Sequence, residues 1–215
     1  MIEIPMPDSI RALPIDPIRK VPIPWFVAWI DGKPEFRLAD GEKFARAIKE
    51  RRCWVCGRRL DNRATYVIGP MCVINRVTAE PPCHPTCAEY SVKACPFLSR
   101  PGMVRREGGL PESVENPEGL MILRNPGVTC LWTTKTPGSK PFRTGSNVLL
   151  KLFPPTSVTF WAEGRAATYE EVETSVRTGL PTLYQMARAE GATALAALES
   201  MKLHAQRIFN LVDRS

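Results

Sequence analysis

Two short cysteine-containing pairs constrain what this chain can fold into more than any other feature. The first pair is Cys53 and Cys56 in the stretch CWVCGRRL, and the second lies about thirty residues later in PPCHPTCAEY, at His84 and Cys87. Cysteines at such spacings form a redox dithiol, half of a disulfide framework or half of a metal site. Which of the three applies decides most of what the sequence predicts.

The residues that flank the two pairs favour a metal site. Asp40 can cap a helix over roughly 41–51 that leads into Cys53, and Pro85 and Pro96 are placed to begin and end a second helix. A thioredoxin-like dithiol would instead open a helix that follows a strand. Two thiolates from one turn, with a histidine and a thiolate from a helix start, make the donor set of a structural zinc ion. The expected zinc ligands are Cys53, Cys56, His84 and Cys87.

The ligand set leaves one alternative open. Cys83 adjoins His84, and Cys83 with Cys87 also has a spacing found in zinc sites. His84 is preferred because it lies one helical turn before Cys87. The other cysteines are expected to be buried small side chains rather than ligands: Cys72, Cys95 and Cys130.

The segment between the pairs predicts a hairpin. The stretch TYVIGPMCVINRV, residues 65–77, has the composition of two short strands broken by Gly69 and Pro70. The order of a cysteine knuckle, a β-hairpin and a ligand-bearing helix resembles the treble-clef zinc finger over residues 50–97. Treble-clef units occur in nucleases, ribosomal proteins, DNA-binding modules and protein-interaction modules, so the resemblance implies a zinc-stabilised fold but no single activity.

The chain as a whole predicts an α+β protein. Residues 1–24 are rich in proline and are expected to form an extended arm that lies on the body or is partly mobile. Residues 25–98 would form a hairpin with a turn at Asp31 and Gly32, a helix and the zinc unit. Residues 99–127, rich in glycine and proline, would form a linker. Residues 128–215 would form a small antiparallel sheet and the C-terminal helices, and this part can share one core with residues 25–98.

Three stretches of the C-terminal region predict that small sheet. They are VTCLWTT (128–134), SNVLLKLF (146–153) and SVTFWAEG (157–164), and a basic loop at 135–145 joins the first two. The strands are expected to pair with one another, because they follow one another closely along the chain.

Helix signals follow the strands. Thr168 and Glu171 have the spacing of a capping box, and Gly179 can end the helix that they begin. Apolar residues at three- and four-residue spacing predict a last helical region over about 182–212, with a break at Gly191. Its apolar stripe is expected to pack on the body of the protein.

The positive charge of the chain is concentrated around the first cysteine pair. The net charge is +7, and residues 47–63 contain six basic and two acidic side chains. Arginines clustered in this way favour contact with nucleic-acid phosphates. Trp54 either stacks on a base or covers the zinc ion from water. The expected nucleic-acid contacts are Arg51, Arg52, Trp54, Arg58, Arg59, Arg63, Arg100, Arg105 and Arg106.

The sequence offers few groups for catalysis. A nuclease of the HNH kind needs a histidine base on its hairpin, yet the sequence has no histidine between Cys56 and His84. His204, the other histidine, stands alone in a predicted helix. The signatures of zinc deaminases and of phosphate-binding glycine loops are also absent from the sequence. The expectation is therefore a non-catalytic protein with a structural zinc ion, and a cysteine-dependent or nuclease-like enzyme is the less favoured alternative.

Location and partner follow from the same patterns. No run of about eighteen apolar residues predicts a membrane span, and the N-terminus lacks a secretory pattern, so a soluble protein in the cytoplasm of a bacterial host cell is expected. The alternative function is a protein-binding adaptor or inhibitor, for example of a host factor, that docks through the arm and the C-terminal helix. Salt discriminates the two, because it weakens phosphate binding steeply and leaves apolar docking in place.

A group of uncharacterised bacterial and phage proteins of similar length resembles this chain. The resemblance extends over most of the sequence and is carried by WFVAW, CWVCGRRL, VIGPMC, EPPCHPTCAEY, ACPFLSRP, MVRRE and WAEGRAATYEEV. It implies a phage or mobile-element setting and no particular activity. In that group the position of Cys83 is often serine, which supports His84 and Cys87 as the ligands.

Overall fold

The computed structural model describes residues 4–100, 102–104, 125–145 and 147–212. These residues form an α+β fold in which all strand pairs are antiparallel. The helices are α1 (Asp8–Arg11), α2 (Gly41–Glu50), α3 (Pro70–Asn75), α4 (Pro85–Ala94), α5 (Pro96–Ser99), α6 (Tyr169–Glu190) and α7 (Ala192–Phe209). The strands are β1 (Val27–Ile30), β2 (Lys33–Ala39), β3 (Arg63–Ile68), β4 (Val77–Thr78), β5 (Thr129–Lys135), β6 (Ser139–Thr144), β7 (Asn147–Leu152), β8 (Ser157–Ala162) and β9 (Arg165–Ala166).

The N-terminal arm packs against the body of the protein. Ile10 in α1 and Ile23 are only 1% and 4% exposed. An isolated bridge between Ile15 and Pro22 turns the intervening chain back on itself. The buried carboxylate of Asp16 accepts a hydrogen bond from the N–H of a residue inside this turn, at 2.9 Å. The arm expected as extended chain therefore contains a helical turn and contributes to the core.

The first hairpin and the helix before the first cysteine pair are confirmed. β1 and β2 pair around Asp31 and Gly32, which have positive φ angles of 48° and 72°. The Asp40 side chain accepts a hydrogen bond from the N–H of Lys43 at 3.0 Å and so caps α2. Arg51 ends α2 in the left-handed conformation, with a φ of 54°, and turns the chain toward Cys53.

The principal sheet has the strand order β3-β5-β8-β9. β3, from the segment between the cysteine pairs, runs antiparallel to β5 in uninterrupted register over its full length. Tyr66 of β3 and Trp132 of β5 lie opposite each other, and both are fully buried. This sheet joins the middle of the chain to its C-terminal half.

The prediction of a three-stranded sheet in the C-terminal region is wrong. β5 and β8 lie side by side in the sheet that contains β3, whereas β7 belongs to a second sheet with the order β4-β7-β6. The predicted basic loop 135–145 contributes β6, in which all residues but the first are exposed. Sequence patterns predict strands but not their partners, because pairing depends on which strand edges meet when the chain collapses.

The second strand expected between the cysteine pairs is also wrong, since Pro70–Asn75 is helix α3. Gly69 is the N-cap, and Pro70 takes the first helical position, where its missing N–H would be unpaired in any case. Val73 and Ile74, whose β-branched side chains suggested a strand, are each 1% exposed. Burial against the C-terminal helices thus outweighs their preference for a strand, and the proline after a glycine is the signal that indicates the helix.

The C-terminal helices confirm the capping box and correct one boundary. Thr168 and Glu171 exchange hydrogen bonds between side chain and backbone at 3.3 and 2.8 Å. Gly179 was expected to end this helix, but α6 continues past it. A Cβ atom at Gly179 would lie 2.9–3.0 Å from side-chain atoms of Met71. The glycine therefore permits close packing of α6 on α3, and Gly191 separates α6 from α7 as expected.

One hydrophobic cluster draws buried side chains from the whole described chain. It includes Ile10 of the arm, Val55 between the first two cysteines, Trp132 of the principal sheet and Leu198 of α7. The regions outlined from the sequence thus contribute to a common core, while their boundaries stay predictions. Most of the predicted linker, 99–127, lies outside the described residues. None of the described helices is both long and apolar enough to cross a membrane.

Candidate metal centre

The first two candidate ligands lie in a tight turn that follows α2. An antiparallel bridge between the first and last residues of the segment 52–59, called the knuckle below, closes this turn. The N–H of Gly57 donates to the carbonyl of Cys53 at 2.8 Å. Cys53 and Cys56 are both buried, at 0% and 7% exposure. The backbone of the knuckle thus holds two thiols in one compact, shielded turn.

Gly57 is required for the shape of the knuckle. Its φ of 72° lies in the left-handed region that favours glycine. A Cβ atom here would also come within 2.6 Å of two ring carbons of Trp25. The N–H of Trp25 in turn donates to the carbonyl of Val55 at 2.7 Å. The knuckle is therefore packed tightly against the residues that lead into the first hairpin.

The other two candidate ligands lie at the start of α4. Thr65 of β3 and Cys83 form an isolated bridge through two backbone hydrogen bonds of 2.9 and 2.8 Å. This bridge, in place of the expected hairpin, ties the chain before α4 to the principal sheet. His84 is the N-cap with extended backbone, Pro85 is the first helical residue, and Cys87 follows in the first turn.

The four side chains expected to bind zinc lie together. Their potential ligand atoms are all within 4.8 Å of one another. The Nδ1 atom of His84 is 3.4 Å from Sγ of Cys56 and 3.9 Å from Sγ of Cys87. Neighbouring ligands of a tetrahedral zinc ion are about 3.5–3.8 Å apart, given Zn–S and Zn–N bonds of about 2.3 and 2.0 Å. The two separations from Nδ1 are therefore close to those around a bound ion, and the four side chains could hold one.

A backbone hydrogen bond selects the nitrogen that His84 offers to a metal. Its Nε2 atom lies 3.0 Å from the carbonyl oxygen of Arg59 in the knuckle. A carbonyl oxygen only accepts, so Nε2 carries a proton and donates. Nδ1 is thereby left as the nitrogen that faces the sulfur atoms. Metal-binding histidines are commonly oriented by such a hydrogen bond from the other ring nitrogen.

Further hydrogen-bond donors reach the sulfur atoms. The N–H groups of Cys56 and His84 donate to Sγ of Cys53 at 3.5 and 3.4 Å. The hydroxyl of Ser9 lies 3.4 Å from Sγ of Cys87, although 78 positions separate the two residues. Donors near a sulfur favour its thiolate form, which is the form that binds metals. No local signal in the sequence indicates this contact of Ser9, because it exists only after the arm has packed.

The close packing of the cluster shifts the pKa values of its members in opposite directions. Burial, with hydrogen bonds to Cys56 and Cys87, raises the pKa of Cys53. Hydrogen bonds to Cys53 and Cys87 lower the pKa of Cys56. Hydrogen bonds to Cys53 and Cys56 raise the pKa of His84 to about 10. A divalent cation would displace the remaining protons, including the one on Nδ1, and stabilise all three thiolates together.

The remaining cysteines do not join the cluster. Cys83, the alternative ligand, is engaged in the bridge to β3 and lies outside the group of four. Burial raises the pKa of Cys83 and of Cys130, and it raises the pKa of Cys72 to about 11. These thiols lie outside the cluster and are packed as small hydrophobic side chains. Cys95 is the half-buried C-cap of α4.

The arginines expected to contact nucleic acid differ in their availability. Arg52 is engaged within the protein, because it pairs with Glu50 and donates from Nη1 to the carbonyl of Gly57 at 3.0 Å. It therefore stabilises the knuckle, and its contact with a phosphate stays a prediction. Arg105 and Arg106 lie outside the described residues. The others are exposed: Arg51, Arg58, Arg59, Arg63 and Arg100.

The position of Trp54 contradicts the prediction that its ring stacks on a base. The residue is 4% exposed. Its ring stacks on Phe26 with centroids 5.2 Å apart and meets the rings of Trp25 and Phe44 nearly edge-on, at 6.3 and 6.0 Å. An indole gains more from this aromatic packing than from facing water. Trp54 thus fastens the knuckle to the first hairpin and α2, and it presents no face to a ligand.

Comparison with known proteins identifies no family for this chain. Searches against protein-family models, curated proteins and solved structures found no significant match to this chain.

Proposed function

We propose that this protein binds a structural zinc ion and contacts nucleic acid through the basic surface around it. One observation carries the proposal, namely that a single turn serves both purposes. The knuckle contributes Cys53 and Cys56 to the buried cluster and exposes Arg58 and Arg59 to solvent. A metal that holds this turn also fixes the backbone that carries the two arginines.

Zinc is the metal that best suits these donors. Three thiolates and one imidazole nitrogen are soft or borderline ligands, which zinc binds with tetrahedral geometry, whereas calcium and magnesium require oxygen atoms. The knuckle and the start of α4 correspond to the two ligand-bearing parts of a treble-clef finger. In this proposal the bridge between Thr65 and Cys83 takes the place of the treble-clef hairpin.

The zinc ion would be structural rather than catalytic. All four donors come from the protein, so no position remains open for water or a substrate. Within the described residues, no carboxylate belongs to the cluster. His204 lies on the exposed side of α7, where Nδ1 is 2.7 Å from the carbonyl of Ser200. It is not a member of the cluster.

The exposed arginines would supply the phosphate contacts. Arg51, Arg58, Arg59 and Arg63 lie on or beside the knuckle, and none of them forms an ion pair within the described part of the chain. An arginine without an acidic partner can pair with a phosphate without first breaking another ion pair, and it often does so through two hydrogen bonds. Each phosphate that is neutralised releases counterions, so that affinity falls as salt is added.

A protein partner is the second candidate, and exposed apolar side chains favour it. Ile15, Ile18 and Val21 of the arm are 51%, 84% and 41% exposed, and Trp29 of β1 is 49% exposed. Exposed apolar residues of this size often mark interaction sites. For either function, the phage or mobile-element setting is a proposal that rests on the sequence resemblance.

The first experiment measures the metal. We expect one equivalent of zinc per chain after purification without added metal, measured by atomic absorption. A metal-free protein that shows full secondary structure by circular dichroism would contradict the structural role of zinc.

The second experiment measures nucleic-acid binding at two salt concentrations with labelled single- and double-stranded oligonucleotides. Replacing Arg58 and Arg59 by alanine should reduce the slope of log affinity against log salt by about 1.4–1.8, because two phosphate contacts are lost. The matched control replaces Arg177 of α6 and Arg207 of α7, which are also exposed. Absence of binding at low salt would reject the nucleic-acid proposal and leave the protein partner.

A further inference from the structure

A groove separates the C-terminal end of α2 from the β6–β7 hairpin. Its volume is about 350 Å³, which is within the range of ligand-binding clefts. Ile48 of α2 and Leu60 beside the knuckle line one side, and Pro137 and Phe153, which flank the hairpin, line the other. The sequence does not identify these four residues as a binding surface, because it does not show that the β6–β7 hairpin lies beside the end of α2.

Phe153 is the aromatic side chain of this groove, and its backbone is fixed. Its N–H donates to the carbonyl of Gly138 at 2.9 Å, and its carbonyl accepts from Nε1 of the buried Trp132 at 3.0 Å. The residue itself remains 38% exposed. An aromatic ring on an immobilised backbone, partly open to solvent, is suited to stack on a flat ligand.

Cations surround this apolar surface. Lys49, Arg51 and Lys140 line the groove, and its lining contains no acidic residue. All three are exposed, and none forms an ion pair within the described residues. A cleft lined by one sign of charge attracts ligands of the opposite sign, so the groove favours an anion.

A second groove continues the basic surface on the other side of one turn. It has a volume of about 430 Å³ and is lined by Arg63 and Lys135, again without an acidic residue. Thr136 lines this groove and the adjoining Pro137 lines the first, so a single turn separates them. The two grooves are together called the track, and their cations come from α2 and its C-cap Arg51 and from β3, β5 and β6.

Strand register places like charges opposite each other in and beside the two grooves. Arg63 lies opposite Lys135 in the principal sheet, and Lys140 lies opposite Lys151 in the second sheet. Like charges at directly opposed positions destabilise a pair of strands. A bound polyanion would relieve this repulsion.

We infer that the two grooves bind a single-stranded nucleic acid, with a base on Phe153 and the phosphates on the flanking cations. A single strand supplies both unstacked bases and a row of phosphates, whereas a duplex keeps its bases stacked inside. The inference rests on the proposed nucleic-acid function and specifies its ligand. It also replaces Trp54, which is buried, by Phe153 as the stacking residue.

The track is connected to the metal centre through the knuckle. The N–H of Leu60 donates to the carbonyl of Arg51 at 2.7 Å, directly outside the bridge that closes the knuckle. Both residues line the first groove. Zinc that holds the knuckle would therefore hold one wall of the groove.

The test measures binding of a labelled oligothymidine and of a duplex of equal length to the zinc-loaded full chain. Phe153→Leu keeps an apolar side chain but removes the ring, and it should weaken single-strand binding about tenfold. Phe142→Leu is the matched control, because Phe142 is equally exposed at 38% but lines neither groove. Replacing Lys49 and Lys140 by alanine should lower the salt slope by about 1.4.

The outcomes separate this inference from the function on which it rests. If the Arg58 and Arg59 variant weakens binding while Phe153→Leu and the lysine variant bind like the wild type, the grooves are not the site but the nucleic-acid function stands. Tighter binding of the duplex than of the single strand would also overturn the inference. If the wild type binds neither probe, both proposals are wrong. Zinc content and circular dichroism of each variant show whether the fold is retained.

Discussion

The candidate metal centre and the C-terminal helical pair contribute to the same hydrophobic cluster, yet they are built differently. The first consists of a turn and the helix α4 of 10 residues, which is too short to be stable alone. It depends on four converging side chains. The second consists of α6 and α7, with 22 and 18 residues, which bury apolar side chains such as Val172 and Leu198. Removal of metal and removal of apolar packing should therefore have separable effects.

Loss of one ligand is expected to have the largest effect. Cys53→Ser is expected to abolish zinc binding and to destabilise the protein by more than about 4 kcal/mol, because the remaining donors cannot complete the site. Zinc analysis and hydrogen exchange of the knuckle and α4 amides would measure both effects. The control is Cys95→Ser, since Cys95 lies outside the cluster and should leave zinc bound. A Cys53→Ser protein that keeps one equivalent of zinc would refute the ligand assignment.

A cavity in the helical pair should give the opposite pattern. Leu198 is 2% exposed, and Leu198→Ala is expected to cost about 2–5 kcal/mol while zinc stays bound. Leu203 on the same helix is 61% exposed, so Leu203→Ala should change stability by less than about 0.5 kcal/mol. Chemical denaturation and zinc analysis test the pair. Release of zinc from folded Leu198→Ala would show that the two regions are not separable.

A substitution in the knuckle tests the role of the turn itself, because it strains the site without removing a ligand. Gly57→Ala should destabilise the protein by about 1–3 kcal/mol and weaken zinc binding, since the added Cβ collides with Trp25. Gly32 has the same φ of 72° and no atom within 4 Å of such a Cβ, so Gly32→Ala isolates the backbone strain. A chelator competition would measure zinc affinity. Equal affinities of the two variants would argue against the importance of the Trp25 contact.

The smallest effect is expected at the start of α6. Hydrogen bonds from Arg165 and Thr168 lower the pKa of Glu171 from its ordinary 4.5 to about 2. A carboxyl whose pKa is lower in the folded state stabilises the protein above its unfolded pKa, and this contribution is lost as pH falls from about 4.5 toward 2. Glu171→Gln should cost about 0.5–1 kcal/mol at neutral pH and reduce the acid dependence in this range. Thermal melts between neutral and acid pH would measure it, and an unchanged acid dependence would exclude the proposed role of the charge.

Short-range signals made part of the fold predictable. Asp40 before α2, the Asp31-Gly32 turn and the capping box at Thr168 each act on residues within four positions. The metal cluster followed from the same kind of reasoning, because each ligand pair lies in one turn. Only the meeting of the two pairs is a long-range event, and the chemistry of the four donors was sufficient to anticipate it.

Long-range packing made other parts unpredictable. The β-branched residues of α3 suggested a strand, and Gly179 suggested a helix end, until their contacts with neighbouring helices were known. Trp54 and Arg52 have the composition of a nucleic-acid surface, but one is buried among aromatic rings and the other is paired with Glu50. Exposure depends on what packs against a side chain, and the neighbouring sequence does not specify it.

Local sequence was sufficient for the Asp31-Gly32 turn, the caps at Asp40 and Thr168 and the donor set of the candidate metal centre, because these depend on backbone geometry and chemistry within a few residues. Contacts between distant parts of the chain pair β3 with β5 and bring β6 to line a groove with the end of α2. The same contacts leave some cations without partners among the described residues. Strand pairing and burial join residues far apart in the chain, and they are selected by the collapse of the whole apolar surface rather than by any local pattern.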